Sequence, residues 1–281
     1  MKLMIRAHDL GVKGEERIAE EISRLGLDGI QLVAYKSIDG ISYNVGSLSP
    51  ERAENIVKTI TKHGEIPYIG AYFNPVHPNE EKRKHGENMF REYLRLAKHL
   101  GGGVVGSETG SYMGDPWGYH SDNLTDQALD RVVDTFTSLA DYAAECGADI
   151  GIEGAFNHVC TTPARLNECI GRIGRDNVRV IFDLYNYLSN TNYENAYDIL
   201  NEGVELFGNK ILLFHIKDFN VVDGCIKQCG VGRGILDFER IMKTIYQHNP
   251  DAILVLEGTV GEDIPYATAH LRKIISALKK D

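Results

Sequence analysis

The chain lacks any apolar run approaching the roughly 20 residues that cross a bilayer. Its first segment, Met1-Lys2-Leu3-Met4-Ile5-Arg6-Ala7-His8-Asp9, is too short in its apolar stretch for a secretory signal. Membrane attachment is therefore not expected. Cysteine is scarce, with five residues scattered over 281 positions. Cys225 and Cys229 have no Cys-x-x-Cys set to join, which argues against a zinc ribbon. The thiols read as reduced and the protein as cytoplasmic, with Cys146 and Cys169 at core positions of helical patterns. Basic excess is also missing: 30 Lys and Arg face 40 Asp and Glu, for a net charge of −10, which disfavours a grip on nucleic acid. No Gly-x-Gly-x-x-Gly follows the first strand-like run, which weakens a dinucleotide-binding reading. Linkers, low-complexity tracts and long charge blocks are absent, so residues 1–281 are expected to form one domain.

What is present is regular alternation. Strand-like runs occur at Leu3–His8, Gly29–Tyr35, Ile66–Asn74, Gly103–Glu108, Asp149–Glu153, Val178–Asp183, Ile211–Lys217 and Ala252–Glu257. Amphipathic helix-like runs follow them at Glu15–Leu25, Pro50–His63, Asn79–Leu100, Thr125–Cys146, Pro163–Ile173, Tyr193–Phe207, Asp237–His248 and Pro265–Lys280. Pro50 and Pro163 stand just inside helix starts, and Gly26, Gly64, Gly101, Gly147 and Gly208 close helical patterns. Eight β-then-α units fit a closed (β/α)8 TIM barrel, for which about 250 residues is usual, better than an open doubly wound sheet. Two connections are long, Thr109 to Leu124 with Tyr112, Trp117 and His120, and Phe219 to Leu236. In a barrel such loops wall the catalytic face.

The stretch Ile211-Leu212-Leu213-Phe214-His215-Ile216-Lys217-Asp218 is apolar at first and polar at its end. Burying that end is costly unless it is paired, wet or bound to a metal. The other runs behave alike, ending in His8, Gln31, Asn74, Glu108, Glu153, Asp183 and Glu257. A barrel gathers such ends at one mouth. With period-two alternation, Arg6 with His8, Tyr72 with Asn74, and His215 with Lys217 are expected to face inward. Glu153, Asp183, His215 and Glu257, on the last four strands, form a candidate set of metal ligands. Three carboxylates and an imidazole suit one divalent ion of intermediate hardness, Mn2+, Co2+ or Mg2+, with Zn2+ also compatible. A single carboxylate at a strand end can simply cap a helix or pair with an arginine; four together are harder to explain so.

Several segments, in order, resemble the xylose isomerase-like TIM barrels, in particular the sugar and sugar-phosphate isomerase and epimerase branch with its D-tagatose 3-epimerase-like members. They are Ile152-Glu153-Gly154-Ala155-Phe156-Asn157, Phe182-Asp183-Leu184-Tyr185-Asn186, His215-Ile216-Lys217-Asp218, Gly230 through Phe238, and Leu256-Glu257-Gly258. The resemblance implies that Glu153, Asp183, His215 and Glu257 bind one metal and that Glu153 and Glu257 form the acid–base pair. It also implies a small-molecule sugar or sugar phosphate as substrate, proton transfer through an ene-diolate, and a homo-oligomer. The chain departs from the pattern in two places. Asn186 stands three residues after Asp183 where a histidine is common, and Asn157-His158-Val159-Cys160 replaces a run with a second glutamate.

His8, Asn74, Glu108, Asn186, Lys217 and Arg233 are further candidates for substrate contact. Each also has a plainer reading, such as a core histidine, a turn carboxylate or a solvated arginine. Competing functions are a dehydratase of the inosose dehydratase type or a hydroxypyruvate isomerase on the same ligand set, a three-zinc apurinic endonuclease, and a sugar-binding barrel without catalysis. The endonuclease needs histidines where Asn74, Glu108 and Asn186 stand, and an Asp-x-His pair after His215 that this chain lacks.

Overall fold

The structure is a computed structural model, and it describes residues 1–280. Eight parallel strands close into a barrel: β1 (Lys2–Arg6), β2 (Gly29–Leu32), β3 (Glu65–Gly70), β4 (Val104–Glu108), β5 (Asp149–Glu153), β6 (Val178–Asp183), β7 (Ile211–Ile216) and, after an inserted hairpin, β10 (Ile253–Leu256). Around them run α1 (Glu15–Leu25), α2 (Ala34–Ser37), α3 (Pro50–Ile60), α4 (Glu80–Leu96), α5 (Asp126–Cys146), α6 (Pro163–Ile173), α7 (Ala196–Phe207), α8 (Phe238–His248) and α9 (Asp263–Leu278). The expected (β/α)8 TIM barrel is what the chain forms. None of the described helices is long and apolar enough to cross a membrane.

Local chemistry sets the helix ends. Ser49 accepts a hydrogen bond from Arg52 N at 3.1 Å ahead of Pro50, and Thr162 accepts one from Arg165 N at 3.2 Å ahead of Pro163. In α1, Ile18, Ala19, Ile22 and Leu25 recur on one face and are buried against the barrel, and Gly26 ends the helix in the left-handed region.

The barrel interior is plugged by Met4, Tyr68, Val104, Ile181, Leu213 and Val255, one side chain from each of six strands. The Tyr68 ring occupies space that a side chain at position 106 or 151 would need; both positions are glycine. Two residues further along, on the same inward face, come Arg6, Asp183, His215 and Glu257. The plug is thus the floor of whatever the mouth holds.

Four features differ from the sequence pattern. β1 stops at Arg6 and the chain turns through a 3-10 segment, Ala7–Leu10; β2 stops at Leu32 before the single turn α2; β3 stops at Gly70. The long connection after β7 is not plain loop. It contains an antiparallel hairpin, β8 (Asp218–Val222) with β9 (Cys225–Cys229), in which Val222 faces Cys225 and Asp218 faces Cys229.

The layer between barrel and helices has little slack beneath β6. Gly203 of α7 lies against the Phe182 ring. That ring is itself held by Tyr187, Phe207 and Phe214, at centroid distances of 5.7, 6.1 and 5.9 Å. Gly203→Ala should therefore destabilise the fold by about 1–3 kcal/mol despite alanine's better helix propensity. A urea midpoint at or above that of the unaltered protein would contradict this packing argument.

Candidate active site

Ligand atoms of Glu153, Asp183, His215 and Glu257 all lie within 4.8 Å of one another at the barrel mouth. His215 Nδ1 is 2.9 Å from Glu257 Oε2, 3.3 Å from Glu153 Oε1 and 3.8 Å from Asp183 Oδ2. Four strands supply one group each, so the rigid barrel rather than any loop fixes their convergence. Lys217, just past β7, places Nζ 2.8 Å from Asp183 Oδ2 and 2.8 Å from Glu257 Oε1, and donates to Asn186 Oδ1 at 2.8 Å. Asn186 in turn donates to Glu153 Oε1 at 2.7 Å. Arg6 Nη1 donates to Glu257 Oε1 at 2.7 Å while its Nε holds Asp9 at 2.8 Å.

The charges in this cluster are closely coupled. Burial acts to raise Glu257, but Lys217, His215 and Arg6 outweigh it and hold the carboxyl well below the ordinary range. Burial acts to lower His215, and Glu257 and Glu153 overcome it to push the imidazole up to about 10. Asp183 is raised to about 6 by burial despite Lys217. Glu108 is raised to about 7 by burial and then by the charge on Glu257.

The donor set fits a divalent cation. Three carboxylates and one imidazole nitrogen converge, and Asp183 Oδ2, fully buried, faces Lys217 without making an aligned hydrogen bond. Glu153, Asp183 and His215 are buried, while Glu257 lies at the open side with its side chain 11% exposed. The open side leaves room for a substrate oxygen, as catalytic sites require.

Two joined hollows flank the cluster. One of about 220 Å³ is lined by Arg6, Lys36, Tyr72 and Glu257. The other, of about 380 Å³, is lined by Asn157, His158, Asn186, Ser189 and Asn190 among others. Glu108 and Trp117 line both and mark the junction. Of the residues singled out from sequence, Glu108, Asn186 and Lys217 thus reach the mouth alongside the four candidate ligands.

Three others do not. His8 falls in the 3-10 turn after β1 and lines neither hollow, although the charges of Arg6, Lys36 and Glu257 act on it. The reason is that the strand ends two residues early. Asn74 is spent on loop structure: its Oδ1 accepts from Val76 N and Ser111 N, both at 3.1 Å, and its Nδ2 donates to Ser111 O at 2.7 Å. Arg233 lies on the outer side of its loop, paired with Asp263 at 3.1 Å and stacked 3.6 Å over the Tyr266 ring.

Arg6, Lys36, Tyr72 and His158 join the site without having been candidates. Arg6 was legible, because it precedes the polar strand end by two on the same face. His158 was not, because only the fold brings its ring to 5.4 Å from Trp117.

Solved structures share this architecture. A D-tagatose 3-epimerase-like protein superposes with a TM-score of 0.77 at 20% identity, covering 100% of this chain and 99% of that one. The IOLI protein with a bound zinc atom gives a TM-score of 0.74 at 18% identity, over 99% of both chains. The 3-keto-D-glucoside 4-epimerase from E. coli gives 0.72 at 18% identity, over 100% of both. At such identities the likeness concerns the fold. No curated protein matches the chain. The model of the xylose isomerase-like TIM barrel matches residues 19–278, so the chain belongs to that family.

Proposed function

We propose that this protein is a divalent-metal-dependent sugar isomerase or epimerase, with Glu153 and Glu257 as its proton-transfer pair. The observation that carries this reading is the meeting of two carboxylates from β5 and the end of β10 around one centre shared with Asp183 and His215. Structural neighbours described as epimerases support it, as does a neighbour holding zinc.

When bound, a divalent ion polarises a carbonyl oxygen and acidifies the C–H bond beside it. Glu153, Asp183, His215 and Glu257 would hold that ion. Glu257, at the open side of the cluster beside Lys217, His215 and Arg6, is placed to remove the proton. Glu153, on β5 three strands around the barrel from β10, is suited to return it. Lys217 Nζ can donate to oxygens of the ene-diolate as charge develops there. Asn157, Ser189 and Asn190 in the larger hollow offer hydroxyl partners along the sugar, and Trp117 offers a flat wall. Mn2+ or Co2+ is the expected activator.

A panel of sugars and sugar phosphates with Mn2+ in deuterated water tests the proposal. Solvent deuterium should enter one carbon of the product, and a chelator should abolish turnover until Mn2+ or Co2+ is restored. A product lighter by one water would instead assign the same site to a dehydratase. No conversion of any member and no bound ion would overturn the reading.

A further inference from the structure

We infer that Gln31 is a positioning residue that decides which nitrogen of His215 faces the three carboxylates, and through it the affinity of the site for a divalent ion. Gln31 is the penultimate residue of β2 and is fully buried. Its Oε1 lies 2.7 Å from His215 Nε2, across the barrel mouth and 184 residues away in sequence. Its Nε2 donates to the Tyr72 hydroxyl at 2.7 Å. Both ends of the amide are engaged, so it has no spare freedom to turn.

The direction of these bonds matters. With the amide oxygen toward the ring, His215 Nε2 carries a hydrogen and donates it, so a cation that takes the place of the Nδ1 proton meets the lone pair of Nδ1, aimed toward Glu257, Glu153 and Asp183. The reverse amide would offer N–H to Nε2 and place a hydrogen on Nδ1, aimed at the ion's position. The Tyr72 hydroxyl, which accepts from the amide nitrogen, ties down the far end of the amide. The choice of an amide is also physical. Three carboxylates already face the centre, and a neutral carbonyl fixes the ring without adding a fourth negative charge.

The inference rests on the proposed metal site, and its readout is ion binding rather than turnover. The dissociation constant for Co2+ is measured by competition with a chelator, together with the visible absorption of bound Co2+. Gln31→Leu should weaken binding by about 10–100-fold and shift the spectrum. Gln31→Glu, whose carboxylate accepts in the same place, should bind Co2+ at least as tightly as the unaltered protein. Folded Gln31→Leu with unchanged affinity and spectrum would overturn the inference. If Gln31→Leu does not fold, Gln31→Glu decides alone, and weaker binding overturns it. An unaltered protein that binds Co2+ but converts no sugar removes the proposed reaction and leaves this inference standing; one that binds no Co2+ removes both.

Discussion

Glu257→Gln should lower kcat on an accepted sugar by about 10²–10⁴-fold, the range associated with loss of a positioned acid or base, while the barrel stays folded. The fold should survive because none of the three cations beside Glu257 depends on it alone, His215 keeping Glu153 at 3.3 Å. Arg6 keeps Asp9 through Nε and Nη2, at 2.8 and 3.0 Å. Lys217 keeps Asp183 and Asn186. Glutamine matches the shape of glutamate but neither accepts a proton from carbon nor offers a second anionic oxygen. It will therefore also weaken ion binding, so kcat must be read at saturating Mn2+. If kcat at saturating metal equals that of the unaltered protein, Glu257 is a ligand and not the base. Glu153→Gln then becomes the deciding variant.

The four candidate metal ligands were legible because two regularities reinforce each other. Apolar strands that end polar are readable one at a time, and the eight-unit alternation says that their ends meet. Glu153, Asp183, His215 and Glu257 satisfy both, and the structure places their ligand atoms together. What failed was the point at which each strand stops. Apolar composition runs on through Ala7 and through Ala71-Tyr72-Phe73, yet the ladder ends at Arg6 and Gly70. A difference of two to four residues there gave His8 and Asn74 strand-end positions that belong to turn and loop. Gln31 was read as a polar strand end but given no role, for another reason. A neutral amide draws no attention in a search for charge, and its partner is 184 residues distant. The β8–β9 hairpin, by contrast, carried a usable signal. Asp223-Gly224 is the two-residue sequence that tight hairpins favour, and both residues have positive φ, 52° and 74°. Its flanking strands are short and largely exposed, so alternation of apolar and polar residues was weak there.

That hairpin hangs on one carboxylate, and the second large effect is expected at it: Asp218→Ala should cost about 3–6 kcal/mol of stability. Asp218 is fully buried, and it is not the partner of Lys217 that its position beside it suggests. Its Oδ1 accepts from Phe219 N at 2.8 Å and Leu236 N at 3.3 Å, and its Oδ2 from Gly232 N at 3.0 Å and Gly234 N at 2.8 Å. Four backbone N–H groups converging on one anion fix both ends of the excursion from 218 to 236. Alanine leaves these donors to water or to nothing, and the sum falls short of four full bonds because some of them rehydrate as the loop opens. Asp218→Asn refines the claim. Its one remaining oxygen can serve only one pair of amides, while its NH2 opposes the other pair, so an intermediate loss is expected. Denaturant unfolding measures all three proteins, and an unchanged midpoint for Asp218→Ala would refute the anchoring role. The site should feel the change as well, since the hairpin supplies Gln228, which donates to Glu257 O at 3.0 Å, and Ile226, which lines the larger hollow. Increased protease cleavage between residues 219 and 235, with a higher KM for any accepted sugar, would tie the stability loss to this hairpin rather than to the barrel beneath it.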